Sequence, residues 1–328
     1  MKRQKTGKSL ALTPRDLAIF ELLERYRYLR STSIHAFVGG ASATRFKERL
    51  GDLYHEGEYL NRPAQQWETA HSRYLPAVYE NSDRARDVLA AQGRLADPCP
   101  HMPYGTSGAG RQFAHSLMIC ETLASIELAA KAKADLRFVS WPEILAKAPE
   151  ETRRSPNPLR LPGFPRRLKT AATELACSGY TVPDAVFGLE YGGEARRSYR
   201  FFALEADRGT MPVMRSARGQ TSFLEKMIAY HGIAARGVHK SHLGIPNLLV
   251  LTVTTSEARK QSMLSALSGA IEDSAMFLFK EVGAAAHRSS ATLGAVLHLP
   301  WDRAGHSHVD ILKPGDWRPM ESTSESSA

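Results

Sequence analysis

The sequence predicts an α/β (α+β) protein in two parts: a small helical domain closed by a short hairpin, then a larger domain with a central mixed sheet flanked by helices. Three observations carry this reading. Apolar residues recur at helical spacing in three short segments before Gly57 and then give way to two strand-like runs. A stretch dense in Gly and Pro, GRLADPCPHMPYGTSGAG, interrupts the pattern. Beyond it, strand-like runs are interleaved with helical ones. The 328 residues suffice for one large domain or two ordinary ones, and 43% apolar with 23% charged residues is a globular composition.

Thr13-Pro14-Arg15-Asp16 opens the first helix with an N-cap, a proline at the first helical position and an acid in the first turn. Leu17, Phe20, Leu22 and Leu23 supply its apolar face. A second short helix begins at Ser31 or Thr32 and runs to Gly39-Gly40. The third, 42–56, places Phe46, Leu50, Leu53 and Tyr54 on one side and leaves Arg45, Lys47 and Arg49 largely on others. Residues 58–63 and 73–79 read as two short strands joined by a loop, and a helix from Ser82 closes the segment. Three helices and a hairpin over residues 1–95 make a winged helix-turn-helix. There the third helix enters the major groove of double-stranded DNA, so Arg45, Lys47 and Arg49 are the candidate DNA-binding residues. A solvated basic face, or a module that docks protein, is the alternative.

Residues 96–112 read as a linker, 113–313 as the second domain and 314–328, with its polar ending ESTSESSA, as a disordered tail. The second domain opens with a long helix from Phe113 to about Lys133. Strands follow at LRFVSW, VPDAVFGLEY, SYRFFALEAD, NLLVLTVT and AMFLFKEV, with SFLEKMIAYHG and SEARKQSMLSALSGAIED as helices among the later ones. Net charge is +9, which makes a polyanionic partner plausible once the charge is clustered. It is clustered on the third helix and again between 153 and 169. That second cluster holds Arg153, Arg154, Arg160, Arg166, Arg167 and Lys169 among four prolines, which predicts an extended, mobile arm. Either Arg166 and Arg167 bind DNA there, or the segment is a solvated insertion. No run approaches the roughly 18 apolar residues of a membrane span, and the N-terminus has no apolar region behind its charges. Cys99, Cys120 and Cys177 are too few and too scattered for a disulfide framework or a zinc cluster, which suits a cytoplasmic protein with no membrane partner. Oligomeric state leaves no mark in the sequence.

The chemistry concentrates in Val182-Pro183-Asp184-Ala185-Val186 and in the run from Phe201 to Thr210. On a strand, Glu205 and Asp207 share a face. Their repulsion is unfavourable unless a cation or a basic partner sits between them. With Asp184 from a neighbouring strand, three hard oxygen donors could converge on Mg²⁺ or Mn²⁺, the cations of phosphoryl chemistry.

A Pro-Asp strand, then a strand with spaced acids, after a long helix, resembles the PD-(D/E)xK nucleases. FFALEADRGT together with VPDA and the leading winged helix resembles, more narrowly, the replication-relaxation family, related to MobC-type plasmid relaxases, over about residues 12–282. The resemblance implies a restriction-endonuclease-like second domain, DNA binding, and metal-dependent nicking at an origin of transfer or replication on a plasmid or other mobile element. Mobilisation or replication proteins would be partners. The sequence departs from the nuclease pattern at Asp207, where a lysine would stand. Lys226, on a helix opened by the capping box Ser222 to Glu225, is the substitute the resemblance suggests, or else a solvated lysine. Glu121, on the face of the long helix shared with Leu117, Ala124 and Leu128, is either an accessory acid of the kind the fold carries or the edge of an apolar stripe. Arg208 is either a phosphate contact or a partner of the acids beside it. Thr6-Gly7-Lys8-Ser9 lacks the context of a phosphate loop. His239, His242, His306 and His308 read as loop histidines, and Tyr230 reads as a core tyrosine rather than a nucleophile. The catalytic expectation is therefore Asp184, Glu205, Asp207 and Lys226, with Glu121 accessory. The alternative is a DNA-binding replication or transfer regulator with a degenerate nuclease fold.

Overall fold

A computed structural model describes residues 3–40, 42–67, 75–95, 110–163, 166–169, 174–177, 179–192, 197–214, 222–272, 274–282 and 300–313. The chain divides into two compact units, the first running to Leu128 and the second starting at Ala129. The division thus falls inside a helix. The proposed linker at 96–112 falls almost wholly outside the described residues, as does the tail at 314–328.

In the first unit, α1 (Pro14–Tyr26) is fixed by the capping box of Thr13 and Asp16. It is followed by β1 (Leu29–Arg30), α2 (Ser31–Val38) and α3 (Ala43–His55), the last capped by Ser42. β2 (Leu60–Asn61), a 3₁₀ turn at Ala64–Trp67, β3 (Val78–Asn81) and α4 (Asp83–Ala91) complete the segment. The three strands form an antiparallel sheet in the order β1-β3-β2. Ile19, Phe20 and Leu23 of α1 meet Ile34 of α2 and Phe46, Leu50 and Leu53 of α3 in one core, as the helical spacing requires.

The long helix α5 (Gly110–Lys131) starts in this unit. Phe113–Lys131 is long and apolar enough by composition to cross a membrane, more so than its sequence suggested, yet most of it is buried within the protein. Its two acids are buried as well, and each has a basic partner. Arg30 Nε lies 2.5 Å from Glu121 Oε1, and Arg25 donates to Glu127 at 3.0 Å, beside the Tyr26 hydroxyl. An acid on a packed helix face is tolerable when so paired.

The second unit continues with β4 (Leu136–Val139), α6 (Trp141–Lys147), α7 (Glu150–Arg153), β5 (Leu161–Pro162), β6 (Arg166–Lys169), β7 (Glu174–Cys177) and β8 (Tyr180–Thr181). Then come β9 (Ala185–Tyr191), β10 (Ser198–Asp207), α8 (Phe223–Ala235), α9 (Val238–Leu243), β11 (Leu249–Thr254), α10 (Glu257–Ser268), β12 (Phe277–Glu281), β13 (Trp301–Arg303) and β14 (His306–Val309). Seven strands form one mixed sheet in the order β14-β13-β12-β11-β10-β9-β4. β10, β11 and β12 run parallel because α8 and α9, then α10, carry the chain back between them, while β9 and β4 pair antiparallel. All five strand-like runs lie in this sheet.

Two expectations fail. The basic run 153–169 is not a free arm: β5 pairs with β8, and β6 pairs with β7 in the register Arg166↔Cys177 and Arg167↔Ala176. Hairpin pairing satisfies backbone groups that an extended arm would leave to water. The histidines are not in loops either. His239 and His242 lie in α9, and His306 and His308 in β14.

Candidate functional site

The site grows from the end of β10. Leu204 pairs with Ala185 of β9 and Glu205 with Thr252 of β11, so Pro183-Asp184 arrives beside Glu205 just before β9 begins. Asp184 is tied there by its own backbone and side chain. Its N–H donates to the Leu204 carbonyl at 3.1 Å, and its Oδ2 accepts from the Ala206 N–H at 2.8 Å.

Across the same sheet face lies α8, held by the capping box of Ser222 and Glu225 and by the edge-to-face contact of Phe223 with Phe279 of β12. Lys226 and Tyr230 are one helical turn apart and so share a face of α8. Both reach Glu205: Lys226 Nζ lies 2.5 Å from Oε2, and the Tyr230 hydroxyl donates to Oε1 at 2.5 Å. Glu205 is only 7% exposed and Tyr230 is fully buried. Burial pushes the Glu205 carboxyl up to about 7; the Lys226 ammonium pulls it down, and the charge of Asp184 pushes it up again. Burial also works against the Lys226 ammonium, but Glu205 and Asp184 outweigh it and leave its pKa above the usual lysine value. Burial, reinforced by the Glu205 charge, drives the Tyr230 phenol well above its ordinary pKa. Thr252, the strand partner of Glu205, has a fully buried hydroxyl with no hydrogen-bond partner among the described residues.

Asp207 does not join this cluster. Arg259, in the first turn of α10, grips it with Nε on Oδ2 and Nη2 on Oδ1, both at 2.9 Å, and also reaches the Met211 carbonyl. The Thr254 hydroxyl and the Gly209 N–H donate to Oδ2 as well. A planar guanidinium matches a carboxylate in this two-point geometry, and it neutralises Asp207 where a cation shared with Glu205 was expected. Among the described residues, no group of three or more His, Cys, Asp or Glu side chains has the arrangement of a metal site. The structure thus brings Asp184 and Glu205 together with Lys226 and Tyr230, and pairs Asp207 with Arg259 instead.

That pair fits a cation that needs few protein ligands. A carboxylate offers about four acceptor positions, of which Lys226 and Tyr230 take two on Glu205. Mg²⁺ is commonly held by one or two carboxylates, with water and substrate phosphate completing its shell.

The sequence model of the replication-relaxation family matches residues 20–249, about two thirds of the chain, from α1 through Asp184, Glu205 and Lys226. The chain belongs to the replication-relaxation family. Comparison with curated proteins and with solved structures gives no match.

The other residues expected to act in this replication-relaxation protein separate by environment. Arg45 and Lys47 are exposed on α3. Arg49 is not available in the same way. Its Nε donates to Asp16 Oδ1 at 3.0 Å, its Nη2 lies 2.5 Å from Oδ2, and it also bonds the Ala11 carbonyl at 2.7 Å. Burial works against the Asp16 carboxylate, but Arg49 and the N–H and hydroxyl of Thr13 outweigh it and hold its pKa below the usual value. Arg208 follows β10 directly and is half-buried, and Arg166 and Arg167 lie on strand β6. Glu121 is engaged by Arg30 within the first unit, where its helix buries that face against a basic partner. The amides of Thr6 and Gly7 donate to the Glu56 carboxylate, so the phosphate-loop-like tetrapeptide serves the protein's own acid.

Sequence reasoning missed Arg259 and Thr252, and it left Tyr230 in the core. A usable signal existed for Tyr230, four residues after Lys226 on one helix face. Thr252 and Thr254 alternate on a strand that could have been paired with β10. Arg259 lies 52 residues from Asp207 with nothing in its surroundings to mark it.

Proposed function

We propose that this replication-relaxation protein binds duplex DNA through its first unit and nicks it in its second, in the manner of a PD-(D/E)xK nuclease, at an origin of transfer or replication on a mobile element. The observation that carries the reading is Lys226 on Glu205 beside Asp184. It restores the acid–acid–lysine set that Asp207 seemed to abolish, with the lysine moved from the strand to α8.

Asp184 and Glu205 are the residues that would hold Mg²⁺ or Mn²⁺, which when bound would activate water and stabilise charge on a phosphodiester. The chain's own part is to position. The Asp184 carboxylate is fixed by the Ala206 N–H, Glu205 by two donors, and Lys226 places positive charge where the transition state gains negative charge. The first unit is read as a winged helix. Arg45 and Lys47 on α3 would contact phosphates, and the net charge of +9 favours a polyanion. Mobilisation or replication proteins and a cytoplasmic setting belong to the same reading.

A second reading, a DNA-binding regulator on a degenerate nuclease fold, is favoured by one observation. Glu205 is neutralised by Lys226, and Asp207 by Arg259, within the protein itself. Incubation with supercoiled plasmid carrying the element's own DNA separates the two. Relaxed circles that require Mg²⁺ or Mn²⁺ and vanish with EDTA support the nickase; intact supercoils with DNA binding retained support the regulator.

A further inference from the structure

We propose that Tyr230 is a positioning residue that fixes the Glu205 carboxylate for a divalent cation, an inference that rests on the reading of Asp184 and Glu205 as the cation-holding pair. Tyr230 is fully buried, and its ring alone would fill the core under α8 as well if it were phenylalanine. The hydroxyl is what needs explaining. A buried hydroxyl is unfavourable unless bonded, and of the groups it could meet it donates to Glu205 Oε1.

Lys226 holds the other oxygen of the same carboxylate. Two donors, one per oxygen and one helical turn apart on a single helix, prevent rotation of the carboxylate plane and fix the directions of its remaining lone pairs. One donor alone would leave it free to turn. Outer groups of this kind, which orient a ligand without touching the metal, typically alter metal affinity by about 10–100-fold when removed. Tyr230 cannot act as a covalent nucleophile here. Its hydroxyl is fully buried, with no exposed surface for a phosphodiester to reach.

The test is Mn²⁺ binding to the full-length protein by titration calorimetry, without DNA, for wild type, Tyr230→Phe, Glu205→Gln, the double variant and Asp184→Asn. Thermal melting and DNA gel shift for each variant report on the fold. Tyr230→Phe is expected to weaken Mn²⁺ binding by about tenfold while the protein stays folded, with some loss of melting temperature from the orphaned Glu205 oxygen, and DNA binding stays near wild type. In the Glu205→Gln background the same change is expected to have no further effect, the sign that Tyr230 acts through Glu205. Wild-type Mn²⁺ affinity in Tyr230→Phe would overturn the proposal while leaving the cation pair standing, and so would an equal loss in both backgrounds. Unchanged affinity in Asp184→Asn, or no Mn²⁺ binding by the wild type, would overturn the cation pair itself, and the role of Tyr230 with it.

Discussion

Three basic residues lie close together on α3, and replacing them one group at a time separates fold from DNA contact. In Arg49→Met the Asp16 carboxylate loses two charge-assisted hydrogen bonds, and the Ala11 carbonyl loses one. Removing one member of a buried ion pair is destabilising by about 3–5 kcal/mol. Asp16 retains the N–H and hydroxyl of Thr13, at 2.7 and 2.8 Å, and the Arg49 side chain is 26% exposed, so about 2–3 kcal/mol is the fitting magnitude here. That corresponds to roughly hundredfold faster hydrogen exchange at α1 and α3 amides in the full-length protein. The salt dependence of DNA binding should keep its slope. The double variant Arg45→Ala, Lys47→Ala should do the reverse, lowering the log K against log salt slope by about 1.8 for two lost phosphate contacts while leaving exchange unchanged. If Arg49→Met instead lowers the slope and leaves α1 protected, Arg49 faces DNA and the ion pair with Asp16 does not hold the fold.

Further outcomes follow from the same geometry. Thr252→Val removes a buried hydroxyl that has no partner among the described residues, so it should raise stability by about 1 kcal/mol; a lowered melting temperature would mean the hydroxyl is bonded. Glu121→Gln should destabilise the first unit by about 2–3 kcal/mol by leaving Arg30 without its counter-charge, and leave Mn²⁺ binding as it was, whereas lost Mn²⁺ binding would return Glu121 to the site. Burial holds Lys280 at about 8, with Lys260 lowering it further and Asp302 and Asp310 raising it. Its folded pKa lies below the unfolded value of 10.5, so the unfolded chain holds the extra proton between about 8 and 10.5 and stability climbs with pH across that window. Lys280→Met should therefore be more stable than wild type by about 2 kcal/mol near neutral pH, with the gain fading as pH approaches 10.5; a pH-independent difference in denaturant melts would contradict this.

Much of the fold is legible because it rests on local rules. Thr13-Pro14-Arg15-Asp16, an N-cap, a proline and a first-turn acid in the sequence, closes as a capping box in the structure, and the apolar spacing of α3 places Phe46, Leu50 and Leu53 in the core. SYRFFALEAD marks the bounds of β10 because its alternation and its apolar run are both strand signals. What fails is set by partners distant in the chain. Asp207 looks like a ligand until Arg259 is placed beside it. Arg49 looks like a groove-facing residue until Asp16 is, and Glu121 looks like an accessory acid until Arg30 is. Each buried acid found a basic side chain that residue spacing does not announce. The hairpins of the 153–169 region are hidden for a related reason: proline and arginine mask β-pairing whose partner strand lies beyond the next turn.

On the proposed function, Asp184 and Glu205 with Lys226 cleave the phosphodiester while the basic face of α3 grips DNA. Asp184→Ala, tested for plasmid nicking with Mn²⁺ and for gel-shift affinity in the same buffer, addresses that function most directly. Nicking should be lost and DNA affinity kept. Nicking at the wild-type rate by Asp184→Ala would contradict it.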